Sequence, residues 1–276
     1  MKPFIKTNDI DCLENRNPEL IHRLARFFKP LFWHYFRPEI QGLERIPEGA
    51  GMFVGNHNGA LLMPDLFIFG IALYERFGID GLPYGMGHES GIGFPILHRL
   101  LLPIGGVRGC QQNAHLLLAA GEKLLVYPGE ELDSMRSFGK RTRIIFGKRR
   151  GYIRIALQER VPIIPVVSSG GHETLVILHE GKWLARALRL DRLLSLQTWP
   201  IVFCLPWGLW VGVPPPHFPF RTRIHIEVLE PIRFERDGPE AASDSAYVDA
   251  CHRQVHAKME TVLKQLLAAR RRRRKR

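Results

Sequence analysis

The chain has 276 residues, of which 45% are hydrophobic and 24% are charged. This composition supplies enough apolar side chains for one large domain core and excludes a chain that is disordered over most of its length. The formal net charge is +12; residues 270–276 supply seven of these charges, which leaves +5 for the rest. A basic terminus of this kind can bind anionic lipid or nucleic acid, or remain a solvated end.

The cysteines indicate a reducing compartment and no metal site. Cys12, Cys110, Cys204 and Cys251 occur singly, without a CxxC pair or a cysteine–histidine cluster at metal-ligand spacing. Residues 1–17 contain early acidic side chains and no continuous apolar core, which is not typical of a secretory signal. No stretch has the pattern of an ordinary transmembrane helix.

The first predicted element is a helix over residues 19–36, within an amino-terminal amphipathic segment placed at 1–45. Aromatic and aliphatic residues recur there at spacings of three and four, and basic residues occupy the other face. Pro30 is predicted to kink or divide this helix. A membrane-interface helix and a helix docked on its own domain share this pattern, so both interpretations stay open.

From Gly51 onward, short apolar runs alternate with helical patterns. This alternation predicts an α/β fold of three layers, with a mostly parallel or mixed sheet flanked by helices. The predicted strands are 52–54, 82–86, 101–107, 123–127, 161–167 and 223–229, and the predicted helices are 66–76, 113–120, 149–159 and 246–269.

Residues 193–220 contain no Asp, Glu, Lys or Arg over a length that could cross a bilayer. Pro200, Pro206 and the prolines at 214–216 would interrupt a spanning helix, and lipid does not tolerate unpaired backbone groups. The sequence favours an acyl-chain lining or a segment that dips into the membrane interface. A buried strand-and-turn region of the core is the alternative.

His57 follows the strand at 52–54 in a glycine-containing turn, where an α/β protein places its ligands. A lone histidine is commonly structural, but a neutral histidine oriented by a carboxylate can take a proton from a hydroxyl near pH 7. Asp65 is close enough in sequence to be that carboxylate. Asp65 also stands where an acidic residue would cap or charge-stabilise the next helix.

Two further clusters carry polar chemistry. Glu130, Glu131 and Asp133 follow the strand at 123–127, and one of them can fix a polar substrate group or a neighbouring arginine such as Arg136; a solvated acidic loop is the alternative. Gly105 and Gly106 allow close backbone approach, and Arg108 can hold phosphate with its planar guanidinium, although arginine is also common on surfaces.

These stretches together resemble the glycerolipid acyltransferase superfamily, which includes the glycerol-3-phosphate and lysophospholipid acyltransferases. His57 with Asp65 is similar to the first block of that family, residues 105–108 to the second, 127–131 to the third and 161–166 to the fourth. Seven residues separate His57 from Asp65 instead of the usual four, and Pro-Gly precedes the acids. Both features are similar to a divergent branch related to diacylglycerol acyltransferase-like proteins, in which residues 170–174 also have a counterpart.

The resemblance implies a chain divided into the amino-terminal segment at 1–45, an acyltransferase domain at 46–235, a carboxyl-terminal helix at 236–269 and a basic tail at 270–276. It implies acyl transfer from acyl-CoA or acyl carrier protein to a hydroxyl of a glycerolipid or lysophospholipid, with no cofactor besides the acyl co-substrate. His57 would be the general base and Asp65 its partner. The substrate-binding residues would be Gly105, Gly106, Arg108, Glu131, Asp133 and Arg136.

The same resemblance implies work at a membrane surface, as a peripheral or monotopic protein on the cytoplasmic face. The predicted membrane contacts are the amino-terminal helix, residues 193–220 and the basic tail. Two alternatives remain: a non-catalytic lipid-binding protein of the same fold, and a nucleic-acid-binding protein that uses its arginine-rich end. No nucleic-acid-binding motif supports the second, and the chain lacks the Gly-x-Ser-x-Gly turn typical of hydrolases.

Overall fold

A computed structural model describes residues 12–60, 62–87, 95–193, 196–214 and 216–274. Seven strands form the main sheet and three form a smaller one. The strands are Glu39–Gln41 (β1), Gly51–Gly55 (β2), Tyr84–Gly87 (β3), Gly106–Arg108 (β4), Lys123–Val126 (β5), Ile163–Ser169 (β6), Val176–His179 (β7), Ile201–Cys204 (β8), Gly208–Val211 (β9) and His225–Val228 (β10).

The main sheet has the strand order β1-β10-β6-β2-β5-β3-β4. Strands β6, β2, β5, β3 and β4 are mutually parallel, whereas β10 runs antiparallel to β6 and carries β1 as its parallel neighbour. The prediction of a mixed α/β sheet is therefore confirmed. Residues 39–41 belong to this sheet, although the sequence-based division placed them in the amino-terminal segment.

Helices cover both faces of the main sheet. They are Pro18–Phe36 (α1), Pro64–Phe77 (α2), Pro95–Leu101 (α3), Gln111–Ala119 (α4), Glu130–Ser134 (α5), Gly151–Gln158 (α6), Lys182–Ala187 (α7), Leu190–Leu193 (α8), Gly238–Ser243 (α9) and Ser245–Arg274 (α10). Strand β2 shows how the layers form, because alternate residues point to opposite faces. Met52 and Val54 pack against α4, α6 and α10, and Phe53 packs against α1 and α2.

Helix α1 continues through Pro30 as one element, so the predicted division is not observed. The Asn17 side chain accepts a hydrogen bond from the Leu20 N–H at 2.9 Å and caps the start. Arg37 ends the helix in a left-handed conformation, at φ 45°. Buried Ile21 and Phe36 anchor both halves on the domain, and this packing offsets the hydrogen bond that proline cannot make.

The predicted strand at 101–107 is wrong over most of its length. Helix α3 ends at Leu101, a 3₁₀ turn follows at Leu102–Ile104, and β4 covers only Gly106–Arg108. Pro103 cannot donate to a strand ladder, and Gly105 has a φ of +96° that closes the turn. The last helix also exceeds its prediction and continues to Arg274, which brings the first residues of the basic tail into α10.

The apolar stretch forms a hairpin instead of a helix. Strands β8 and β9 pair antiparallel, β7 adds the third strand, and the Leu205–Pro206 peptide is cis. In the described part of the chain, no helix is both long and apolar enough to cross a membrane.

Candidate functional site

Three segments meet at the carboxyl ends of β2, β5 and β6. The turn after β2 carries His57, the segment after β5 carries Asp133 and Arg136, and the turn after β6 carries His172. Parallel neighbouring strands bring their carboxyl ends to one edge of the sheet, which is where open α/β sheets bind ligands. The three segments lie far apart in sequence and become neighbours because these strands are adjacent.

Asn56 ties the His57 turn to the end of β6. Its side-chain amide donates to the Ser168 carbonyl at 2.9 Å, and its side-chain oxygen accepts the Ser168 N–H at 2.8 Å. Asn56 is almost completely buried. Its two hydrogen bonds continue the β2–β6 pairing beyond the end of β2 through a side chain. The sequence analysis assigned no role to Asn56. The signal that could have identified it is its position directly before the candidate catalytic histidine.

Asp133 and Arg136 hold the His57 backbone. The His57 N–H donates to Asp133 Oδ2 at 2.7 Å, and one Arg136 guanidinium nitrogen donates to the His57 carbonyl at 2.7 Å. The same nitrogen pairs with Asp133 Oδ1 at 3.0 Å, and the other terminal nitrogen donates to Asn58 Oδ1 at 2.6 Å. Asp133 and Arg136 are buried, so they fix the peptide groups on both sides of His57.

Burial raises the pKa of Asp133, while the Arg136 charge and the N–H groups of Ile145 and His57 oppose that rise. The Ile145 N–H reaches Asp133 Oδ1 at 2.9 Å. The carboxylate therefore accepts hydrogen bonds from His57, Arg136 and Ile145. Asp133 and Arg136 were predicted to bind substrate; their burial and contacts favour positioning of the His57 turn instead.

The His57 ring is neutral near pH 7. Burial, and secondarily the Arg136 charge, lower the pKa of His57 to about 3. Its Nδ1 is buried and has no hydrogen-bond partner among the described residues, and its ring lies edge-on to Tyr127 with the centroids 5.1 Å apart. Gly55 makes room for that tyrosine, since a Cβ there would lie 2.5 Å from the Tyr127 ring.

Asp65 is linked to the His57 turn through Asn58. The Asn58 amide donates to Asp65 Oδ2 at 2.8 Å, and the buried Nδ1 of His57 does not reach the carboxylate. Asp65 also occupies the first turn of α2, the helix-start position expected from sequence. Burial raises the pKa of Asp65, and the hydrogen bond from the Asn58 side chain opposes the rise.

The turn after β6 encloses Asp65 and supports Arg136. A Cβ at Gly171 would lie 2.7 Å from Asp65 Oδ2, so the carboxylate fits because residue 171 is glycine. His172 Nε2 lies 2.9 Å from the Arg136 carbonyl and donates to it. Burial and the Arg136 charge lower the pKa of His172 well below its usual value. The sequence motif at 170–174 therefore supports the site through Gly171, which leaves room for Asp65, and through His172, which contacts Arg136.

The acidic block of Glu130, Glu131 and Asp133 divides into two parts. The sequence could not tell which of these carboxylates is functional. Asp133 points into the His57 turn, whereas the Glu131 carboxylate contacts Arg149 at 3.1 and 3.2 Å. Glu130 also pairs with Arg149, at 2.8 Å. The predicted substrate contact of Glu131 would therefore involve a carboxylate that already holds an arginine.

Arg108 ends β4 at the outer edge of the main sheet. Strand β4 is three strands away from β2, or roughly 14 Å at ordinary strand spacing. The neighbouring glycines have packing reasons: a Cβ at Gly105 would lie 3.0 Å from the Arg16 guanidinium, and a Cβ at Gly106 would lie 2.9 Å from the Leu101 carbonyl. Substrate binding by Gly105, Gly106 and Arg108 stays a prediction.

Within the described ranges, no group of three His, Cys, Asp or Glu side chains is arranged to hold a metal ion. Asp133, Arg136 and Asn58 are instead hydrogen-bonded to one another or to the His57 backbone. What this edge of the sheet offers chemically is a neutral imidazole on a rigid backbone, with a buried carboxylate in the adjoining helix turn. This combination suits proton transfer to or from a substrate group.

Comparison with known proteins agrees with the family resemblance. Residues 37–169 match the family model described as Acyltransferase. An uncharacterized protein of Mycobacterium tuberculosis is 29% identical over 92% of this chain and 68% of its own length. The mouse "DGAT1/2-independent enzyme synthesizing storage lipids" is 28% identical over 57% of this chain, which spans 46% of that protein.

The fold also has a counterpart among solved structures. The crystal structure of the 1-acyl-sn-glycerophosphate (LPA) acyltransferase PlsC from Thermotoga maritima aligns with a TM-score of 0.53 and 17% identity. The alignment covers 90% of this chain and 80% of that one. The predicted α/β architecture is thereby confirmed.

Proposed function

Because residues 37–169 match the Acyltransferase family model, we propose that this chain transfers a fatty acyl group from a thioester donor to a hydroxyl of a glycerolipid or lysophospholipid. The donor is acyl-CoA or acyl carrier protein. The observation that carries the proposal is His57. It is a neutral imidazole whose Nδ1 has no partner in the described part of the chain, on a turn whose peptide groups are fixed on both sides.

In this mechanism His57 is the general base. It accepts the proton of the acceptor hydroxyl while the hydroxyl oxygen attacks the thioester carbonyl carbon. The tetrahedral intermediate collapses, the carbon–sulfur bond breaks, and the departing thiolate takes the proton from the imidazolium. The products are an ester and a free thiol, and no acyl-enzyme forms. Positioned proton transfer of this kind contributes about 10²–10⁴-fold to the rate.

Asp65 stabilises the imidazolium in this proposal. Its carboxylate is held by Asn58, and the pKa of His57 is low because the ring is buried and lies near the Arg136 charge. A positive charge on His57 favours the ionised form of Asp65, and in a buried site that attraction is stronger than in water. Asp133 and Arg136 keep the turn in one orientation, which lowers the entropic cost of reaching the reactive geometry.

Arg108 is proposed to bind a phosphate of the acceptor or of the coenzyme. A guanidinium is suited to this contact because its planar N–H groups can bind phosphate in a bidentate manner. Glu131 pairs with Arg149 and would contribute to substrate binding through that arginine.

We place the protein at the cytoplasmic face of a membrane, because the acceptor is a lipid. Helix α1 is consistent with this placement: it docks on the domain through Ile21 and Phe36 and still exposes Phe27 and Leu31. The basic end of α10 is partly engaged, since Arg270 pairs with Glu173 at 3.0 Å and donates to Thr222. Arg271 and Arg272 in the same helix turn are exposed, and they contact anionic lipid in this proposal.

Acyl transfer on liposomes tests the proposal. Purified protein is incubated with labelled acyl-CoA or acyl carrier protein and vesicles that contain either a lysophospholipid or a diacylglycerol. His57→Ala should abolish transfer while circular dichroism stays that of the wild type. His115→Ala is the matched control, because His115 is exposed on α4 and pairs with Glu159, outside the His57 turn; it should retain full activity. Full activity of His57→Ala would refute the mechanism.

A further inference from the structure

The small sheet is apolar on both faces. Side chains alternate between faces along a strand, and Val202 and Cys204 of β8 are fully buried on the inner face. Phe203 points the other way, where the register aligns it with Val176 of β7 and Leu209 of β9. Ile201 and Val211 form the next pair of this outer sheet face. An antiparallel sheet with one face in water normally carries polar residues on that face.

The outer sheet face is exposed. Leu209 is 65% exposed, and Phe203 and Val211 are also exposed. The connections at the end of the hairpin extend the apolar surface with Leu205, Trp207 and Phe218, the last of which is 69% exposed. Trp207 donates its indole N–H to the Pro216 carbonyl at 2.9 Å, so its polar atom is satisfied while the ring stays exposed. Single exposed apolar residues are common, whereas a contiguous patch marks an interaction site.

Basic side chains lie along the segment that connects β7 to β8 and therefore borders this sheet. Exposed Lys182, Arg186, Arg189 and Arg192 lie on and around α7 and α8. This segment is held to the sheet by a hydrogen bond. Trp199, just before β8, donates its N–H to the Glu180 carbonyl. The Glu180 carboxylate is already paired with Lys140 and Lys182. Aromatic residues next to cations match the interface of an anionic bilayer, where each basic residue near the surface contributes on the order of 1 kcal/mol.

The inner face of the same sheet packs on the His57 turn. Ile177, Val202 and Cys204 form one buried cluster with Ala60 and Met135. Ala60 is three residues after His57, and Met135 directly precedes Arg136. One sheet therefore separates the candidate site from the exposed apolar surface, a distance of about 10 Å at ordinary layer spacing.

We infer that the outer sheet face docks on an anionic lipid bilayer and brings the His57 turn next to the headgroup layer. A second copy of the chain is a poorer occupant, because face-to-face association would bring two basic borders together and like charges repel across an interface. The inference deepens the proposed function by placing the lipid acceptor beside the site. The docking itself requires no turnover.

Vesicle sedimentation tests the inference with the full chain. The vesicles contain phosphatidylglycerol and phosphatidylcholine, and no acyl donor is present. Leu209→Asp removes an exposed leucine and places a charge on the docking face, so vesicle affinity should fall by about tenfold or more. Leu116→Asp is the matched control: Leu116 is an exposed leucine of α4, outside the small sheet, and its variant should bind like the wild type. Both variants retain the basic tail.

A second measurement uses the unaltered protein. Brominated lipids quench tryptophans that enter the bilayer, so wild-type emission should be quenched on these vesicles because Trp207 is exposed at the end of the hairpin. Wild-type binding by Leu209→Asp, or unquenched emission of vesicle-bound protein, would overturn the inference. A lipid-free dimer that Leu209→Asp converts to a monomer would assign the face to a second copy and would also overturn it. Acyl-transfer activity is scored separately through His57→Ala, so failure of either proposal is recognised on its own.

Discussion

Replacement of Gly171 by alanine perturbs the contact between Asp65 and the turn after β6, and it also brings a Cβ to 3.0 Å from the Asn58 Cβ. Gly171 has φ −63° and ψ −34°, a conformation that any residue adopts, so the substitution introduces no backbone strain. The added Cβ would lie 2.7 Å from Asp65 Oδ2 and 2.8 Å from its Cγ. Ordinary contacts begin near 3.4 Å, so the carboxylate must retreat by about 0.7 Å if it alone gives way. This movement disrupts the 2.8 Å hydrogen bond from Asn58.

Overpacking of this kind costs about 1–3 kcal/mol of unfolding free energy. In a chain of this size that corresponds to roughly 2–12 °C in melting temperature. The catalytic effect should be larger in relative terms, because a displacement approaching 1 Å at a catalytic group can cost up to about 10²-fold in rate. We expect kcat to fall between about tenfold and a hundredfold, with little change in KM for the acyl donor.

The assay follows thiol release from acyl-CoA on acceptor-containing vesicles, in parallel with a thermal melt. Gly70→Ala in α2 is the matched control, because a Cβ at Gly70 meets nothing within 4 Å. It lies on the same helix as Asp65 and should keep wild-type kcat with an equal or higher melting temperature, since alanine favours a helix over glycine. Wild-type kcat in Gly171→Ala would refute the reasoning that the fit of Asp65 against Gly171 sets its catalytic position.

Three further predictions concern the surrounding groups. Asp133→Asn should lower the unfolding free energy by about 3–5 kcal/mol in a denaturant titration, because it leaves the Arg136 guanidinium buried without its anion. It should also lower kcat more than it changes KM. An unchanged denaturation midpoint would contradict this prediction. The pKa of His57 falls from 6.5 to about 3 on folding, so the unfolded chain binds more protons between these values and stability should decrease as the pH drops through that window. His57→Gln should show a shallower decrease in stability. Identical pH profiles of the two proteins would contradict the lowered pKa of His57. Arg108→Ala should raise KM for a phosphorylated acceptor and leave KM for a neutral acceptor nearly unchanged; equal effects on both acceptors would exclude selective binding of an acceptor phosphate.

The sequence was most informative where a local pattern has one physical solution. The apolar run at 52–54 between glycines could bury both faces only in a central strand, and β2 is that strand. The four blocks carry the family resemblance because their order and spacing are far more specific than any single motif. The strand predicted at 101–107 failed for a local reason, since Pro103 and the positive φ of Gly105 impose a turn that apolar content does not reveal.

The partners of His57 were decided by tertiary structure. Asp133 is 76 residues and Arg136 is 79 residues from His57, and they reach its backbone because β5 pairs with β2 in the sheet. Sequence patterns carry no distance between such segments. They therefore could not tell which carboxylate of the acidic block would turn inward, or that Asn58 would hold Asp65.

The sequence by itself determined the α/β class, the succession of buried strands and amphipathic helices, and the family resemblance, because each follows from periodicity or from short motifs read within one segment. Only the tertiary structure decided that the apolar stretch forms a sheet with one face on the His57 turn and the other in solvent. The physical reason is that burial belongs to a surface formed by several segments. Composition states that Leu209 and Val202 are both apolar, and only packing places one outside and the other inside.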